Sequence, residues 1–274
     1  METWLIITII ACGVLVPYIV LLTVFKKQEN VFKLIQVIGA IALLILFALA
    51  IILIPTSKEK YEPLSSVGMY LSTIALVLIA GVLVWLFGKD ADTSSTKALT
   101  YGGIMIALAF GLSYIKLFSL PQGGSITLVS MLPIILYSYL FGAKRGVVAG
   151  LIYGILQLIQ SPQIYQSLQV LLDYPIAFGL IGIAGITRNF KFLKGNMLLE
   201  FSVGASIACI GRYLAHFLSG YFVFSSWAMD GYSALGWSLV YNLYIVVELA
   251  LILVVGVALF ISKSFQNEIK KRLY

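Results

Sequence analysis

Four ionisable residues stand inside long apolar runs of this sequence: Asp173, Arg212, His216 and Glu248. A charged group at bilayer depth costs about 2.5–3.5 kcal/mol on insertion scales, so each needs a partner or a task. Asp173 lies in Leu171-Leu-Asp-Tyr-Pro-Ile-Ala177, two residues before Pro175, whose missing N–H frees backbone groups beside the carboxylate. A carboxylate facing an open cavity attracts a cationic ligand; the alternative is an ion pair with Arg212 that only holds helices together. Arg212 and His216 are spaced i, i+4 and share one helix face. A neutral imidazole there can donate to and accept from a heteroaromatic ring, or it can be a structural histidine satisfied by a backbone carbonyl. Arg212 is expected to pair with Glu248 or with Asp173.

The last apolar run carries Trp237, Tyr241, Asn242 and Glu248 in succession. Trp237 at that depth suits an interfacial anchor, whereas Asn242 is deeper and costly to leave unpaired, so it needs another helix or a ligand. Tyr165 and the group Tyr221, Phe222, Phe224 and Trp227 add aromatic surface near Asp173 and His216. Aromatic belts account for many such residues, but an acid among aromatic faces also suits a delocalised organic cation. Leu120-Pro-Gln-Gly-Gly-Ser125 joins two apolar runs; Gly123 and Gly124 permit a tight turn or a mobile lid.

Other chemistries lack their residues. The sequence has no Gly-x-x-x-x-Gly-Lys-Ser/Thr phosphate loop, no His-Glu-x-x-His and no Gly-x-Ser-x-Gly. One histidine and two separated cysteines, Cys12 and Cys209, make no zinc site. Neither an enzyme, a metal nor a cofactor is expected.

The elements that must position these residues are spanning helices. Of 274 residues, 61% are hydrophobic and 11% charged, against about 25% charged in soluble domains. An all-α polytopic membrane fold follows. Nine spans are expected, near 3–25, 33–54, 67–87, 98–117, 127–141, 147–160, 167–187, 197–221 and 235–262, the fifth and sixth short enough to be sheltered in the bundle. The run from Trp4 to Phe25 is expected to be a permanent first span. The net charge of +7 comes from basic residues clustered in short loops, which marks topology and not a nucleic-acid partner. With the N-terminus outside and the C-terminus inside, 14 of the 18 Lys and Arg residues fall on the inner side. A polar stretch, Gly88 to Lys97, divides three charge-free spans from six that hold every buried charge. Residues 1–95 are thus expected to be an N-terminal extension and 96–274 the functional domain.

Residues 97–274 resemble the thiamine-specific substrate-binding (S) component of energy-coupling factor vitamin transporters. The resemblance rests on Leu120-Pro-Gln-Gly-Gly-Ser-Ile-Thr127, Met131-Leu-Pro133, Lys144-Arg-Gly146, Tyr153-Gly-Ile-Leu-Gln157, Gln169-Val-Leu-Leu-Asp-Tyr-Pro-Ile-Ala-Phe178, Arg212-Tyr-Leu-Ala-His-Phe-Leu-Ser-Gly220 and Trp237-Ser-Leu-Val-Tyr-Asn242, in that order. It implies a six-helix bundle, here preceded by three extra helices, with an outward-facing thiamine pocket in a cell-membrane protein. It places Asp173 near the thiazolium, with Tyr174 on a contact position and His216 and Asn242 near the aminopyrimidine. Tyr153 and Tyr165 fall on aromatic positions around the pocket, and Gln122, Gly123 and Gly124 on a loop that closes over the ligand. Phe224 stands where some members carry a stacking Trp, and Trp237 where a Tyr is usual, so Trp227 is a candidate for the missing indole. The family docks on a membrane scaffold subunit carrying two cytosolic ATPases, through small residues matched here by Gly103, Ala107 and Gly111. Internal packing would use the same spacing. Without the resemblance, Asp173, His216 and Glu248 would equally suit a stand-alone proton- or ion-coupled carrier.

Overall fold

The structure is a computed structural model that describes residues 66–89, 94–165, 167–193 and 195–273. The expected spans 3–25 and 33–54 lie outside the described residues. The chain divides into two compact units, Met1–Val82 and Leu83–Tyr274. Of the first, only residues 66–82 are described; they belong to helix α1 (Ser66–Phe87), an unbroken apolar helix of 22 residues.

Among its described residues, the second unit is mostly helical, with one hairpin. Helix α2 (Ser95–Ser113) starts where the Ser94 hydroxyl accepts from the Lys97 N–H at 3.4 Å. The chain then turns extended, and β1 (Lys116–Ser119) pairs antiparallel with β2 (Ser125–Thr127). The expected fourth and fifth spans are therefore shorter than their apolar runs, because these residues form a hairpin instead of helical turns. Helix α3 (Leu132–Phe141) begins with Pro133 in its first turn, where a missing N–H is harmless. Nine of its ten residues are buried, so it is a short helix sheltered by its neighbours. Around it Tyr139, Phe201 and Phe260 pack ring on ring. The Tyr139 hydroxyl donates to buried Glu200 at 2.8 Å.

Helix α4 (Ala143–Gln160) packs against a composite span: α5 (Ser167–Leu171), a π-helical turn (Leu172–Ile176), α6 (Ala177–Ile181) and a 3-10 stretch (Gly182–Asn189). Pro175 cannot donate, and the Ala177 N–H reaches back five residues to the Leu172 carbonyl, the wider turn that absorbs a lost α-helical bond. Gly146, Gly150 and Gly154 face this span at four-residue spacing. A Cβ on Gly150 would sit 2.2 Å from the Phe178 carbonyl oxygen, and one on Gly154 2.5 Å from that of Tyr174. Small residues at this spacing bring backbones together where no water can drive association. Gly150→Ala is therefore expected to destabilise the fold by about 1–3 kcal/mol through overpacking, read as earlier unfolding in an SDS titration. Gly103→Ala, whose Cβ would meet nothing within 4 Å, is the neutral control; indistinguishable curves would refute this packing.

Helix α7 (Met197–Phe222) is capped by the Asn196 side chain accepting from the Leu199 N–H at 3.0 Å. The expected last span is broken into α8 (Ala234–Tyr241) and α9 (Tyr244–Ile261). At the break the Asn242 amide donates to the Ser238 carbonyl at 2.8 Å, a local bond that competes with helix continuation. Helix α10 (Lys263–Leu273) follows. In the second unit, among the described residues, lie the helical segments α2, α3, α4, the composite span, α7 and the α8–α9 pair. Among the described residues, five helical segments, α1 included, are by themselves long and apolar enough to cross a membrane.

Candidate functional site

At one end of this bundle, α4, the composite span, α7, α8 and the hairpin enclose a cavity of about 150 Å³. Its centre is Asp173. The π-helical turn presents this carboxylate to α7, where His216 and Ser219 follow Arg212 at helical spacing. One Asp173 oxygen accepts from Gln169 Nε2 at 2.7 Å and Ser219 Oγ at 2.9 Å, and the other lies 3.0 Å from His216 Nδ1. Gln169 is itself fixed, donating to the Gln163 carbonyl and accepting from the Tyr165 N–H, each at 3.1 Å.

The histidine is thereby oriented. With Asp173 ionised, Nδ1 carries the hydrogen, and a neutral ring offers Nε2 as an acceptor. Nε2 is buried with no hydrogen-bond partner, as is Nε of Arg212, and both residues line the cavity. Buried polar atoms of this kind are rarely left unpaired, so the lining suits a polar ligand.

The carboxylate of Glu248 is already engaged. Glu248 meets Arg212 at 2.5 Å, with side-chain exposures of 4% and 8%. The guanidinium lies 4.8 Å from the Phe178 ring centroid and 5.9 Å from that of Tyr244. Of the two partners open to Arg212 in the sequence, the fold takes Glu248 and leaves Asp173 among neutral donors and the imidazole.

The hairpin tip covers one side. Gln122 and Gly123 have φ of 69° and 93°, two successive left-handed residues of which the second suits glycine. The Tyr241 hydroxyl accepts from the Gly124 N–H at 3.0 Å and donates to the Pro121 carbonyl. Gln122 donates to the Trp227 carbonyl at 3.0 Å, and Trp237 Nε1 lies 3.4 Å from the Gln122 amide oxygen. Tyr174 lines the opposite wall, its hydroxyl donating to the Ser161 carbonyl and accepting from the Gln163 N–H, both at 2.8 Å.

Of the residues singled out in the sequence, Gln122, Gly123, Gly124, Asp173, Tyr174, His216, Phe224, Trp237 and Asn242 line the cavity together. Tyr153 stands behind it, fully buried, its ring edge-on to Phe178 at 4.9 Å. Tyr165 is half exposed and closes a three-ring cluster with Phe224 and Trp227, each pair 5.2 Å apart.

The family model described as thiamine transporter protein matches residues 99–269. The chain belongs to the thiamine transporter family. Among family relatives, the thiamine transporter ThiT of Bacillus subtilis is 36% identical over 131 residues, 45% of this chain and 68% of the relative. ThiT of Lacticaseibacillus paracasei is 28% identical over 183 residues, 59% of this chain and 89% of the relative. A solved structure of ThiT from Listeria monocytogenes aligns with a TM-score of 0.52 at 24% identity, covering 62% of this chain and 97% of that one. The fold shared with that structure is a polytopic helical membrane bundle. Residues 1–98 lie outside the segment that the family model matches.

Several lining residues escaped sequence reasoning. Ser219 lies three positions after His216, and its hydroxyl is ordinary in a membrane helix. Gln157 and Gln160, with Ser113, form a polar wall in which Gln157 donates to Ser113 at 2.8 Å. Two glutamines at i, i+3 inside an apolar run were the available signal. Tyr244 was visible only as an aromatic in a helix.

Proposed function

We propose that this chain binds thiamine in the cavity around Asp173 and passes it inward as the S component of an ATP-driven energy-coupling factor transporter. The observation that carries the reading is the Asp173 carboxylate itself. It lines the cavity and takes its hydrogen bonds from neutral donors and the imidazole, while the neighbouring carboxylate is spent on Arg212. A site with one unspent negative charge, an imidazole acceptor and aromatic walls suits a flat organic cation with an amino-substituted ring, and thiamine is such a molecule. Family membership supports the same choice. In this reading Asp173 faces the thiazolium, Tyr174, Phe224 and Trp237 supply ring surface, and His216 and Asn242 meet the aminopyrimidine. Tyr153 and Tyr165 support the walls from behind and at the rim, and the Gln122–Gly124 tip closes over the ligand.

The binding domain is residues 96–274, residues 1–95 being an added membrane extension. The N-terminus lies outside, the C-terminus is cytoplasmic, and the cavity opens outward. The protein binds and hands over its ligand without altering it, and a scaffold subunit with two ATPases supplies the work. Purified full-length protein is expected to quench its tryptophan fluorescence saturably with thiamine in the absence of ATP, and to carry thiamine in native mass spectrometry. No saturable binding would overturn the reading. Uptake that persists in cells lacking the scaffold and ATPase subunits would overturn the coupling.

A further inference from the structure

The hairpin that covers the cavity is held in two different ways at its two ends. Its tip is held by exposed or half-exposed polar contacts to Tyr241, Trp227 and Trp237. Its root is held by a buried charge. Thr127, the last residue of β2, gives both its N–H (3.1 Å) and its hydroxyl (3.0 Å) to the same oxygen of Glu248. The other Glu248 oxygen takes Arg212, whose guanidinium also reaches Met131 Sδ at 2.9 Å. Thr127 is 7% exposed, Arg212 6% and Glu248 3%.

One ion pair on α7 and α9 therefore grips both ends of the five-residue segment 127–131. Since the Thr127 hydroxyl has a single hydrogen and gives it to Glu248, the 2.7 Å contact with Ser130 must be donated by Ser130. Between them Val129 has φ of 47°, a left-handed conformation that β-branched residues adopt only when their surroundings impose it. The segment is thus held at one end by Glu248 and at the other by Arg212.

We propose that Glu248 is a positioning residue for ligand binding: through Thr127 it fixes the root of the hairpin, so that the tip returns to one place over the cavity and sets how long a ligand stays. Glu248 does not itself line the cavity; it acts through the strand. Such a role belongs in the dissociation rate, because a loosened root leaves the open cavity unchanged but lets the closed tip escape sooner. The inference rests on the thiamine reading for its ligand, not for its geometry.

The test uses the full-length chain with Thr127→Val, which keeps the volume and removes the hydroxyl, beside Thr127→Ser, which restores it. Amide hydrogen exchange of residues 125–131 is measured without ligand, and thiamine dissociation by stopped-flow tryptophan fluorescence. The valine variant is expected to exchange faster in that segment and to release thiamine about tenfold faster, the equivalent of one lost buried hydrogen bond, with association within twofold. The serine variant is expected to match wild type in both. Unchanged exchange in the valine variant overturns the proposal, as does a loss that falls in association. If the wild-type protein does not bind thiamine, the functional reading fails, and the exchange measurement alone decides this inference.

Discussion

Asp173→Asn is expected to weaken thiamine binding about a hundredfold while leaving helix content and expression unchanged. The amide keeps the carboxylate's shape, so the packing of the π-helical turn survives. What changes is the hydrogen-bond polarity of the site. One Asp173 oxygen already accepts from two donors, Gln169 and Ser219, so the asparagine oxygen must take that side and its NH2 must face His216 Nδ1. Nδ1 then has to accept, the ring hydrogen moves to Nε2, and the buried cavity-facing atom turns from acceptor into donor. The ligand's cation also loses its counter-charge, an attraction of up to about 4 kcal/mol for charges 4 Å apart at an effective dielectric of 20. A net loss near 2.7 kcal/mol, the equivalent of a hundredfold, is therefore a moderate expectation. Asp173→Glu keeps the charge and is expected to lose less. Titration by tryptophan quenching decides; a Kd within threefold of wild type for the asparagine variant would remove Asp173 from the site.

The same residue shows what sequence can and cannot reveal here. That Asp173, Arg212, His216 and Glu248 mattered was legible because the bilayer penalises charge so heavily that each exception stands out. Which charge meets which was not, because Asp173 and His216 are 43 positions apart and Arg212 and Glu248 are 36 apart. Helical periodicity fixes a face but not the neighbour across from it. Pro175 announced a disturbed helix, but not that Gly150 and Gly154 of another span approach its backbone so closely. The hairpin was hidden for a simpler reason: Lys116–Ser119 and Ser125–Thr127 are strands of four and three residues beside a Pro-Gln-Gly-Gly turn, too short to show a strand period between two apolar runs. Asn242 was expected to need another helix or a ligand; its amide donates to Ser238 of its own helix, which breaks there. Tyr153, matched to the pocket by resemblance, packs edge-on against Phe178, which lines the cavity.

Arg212→Met is expected to cost about 3–5 kcal/mol of stability, the range for stripping one partner from a buried ion pair. The substitution leaves Glu248 at 3% exposure with one oxygen deprived of its donor, and removes the guanidinium from the Phe178 and Tyr244 rings. Glu248→Gln added to Arg212→Met is expected to recover more than half of that loss. The glutamine amide oxygen can still accept both bonds from Thr127, and no buried charge remains to be solvated. SDS unfolding titrations of wild type, both single variants and the double variant measure the coupling as a double-mutant cycle. A single-variant cost below about 1 kcal/mol would mean that the pair is effectively hydrated and the buried clamp is not real. The expected recovery in the double variant would mean that an uncharged pairing supplies most of the stability. The charges would then be explained by where they hold the backbone: Glu248 on Thr127 and Arg212 on Met131 fix the two ends of the segment that joins the hairpin to α3.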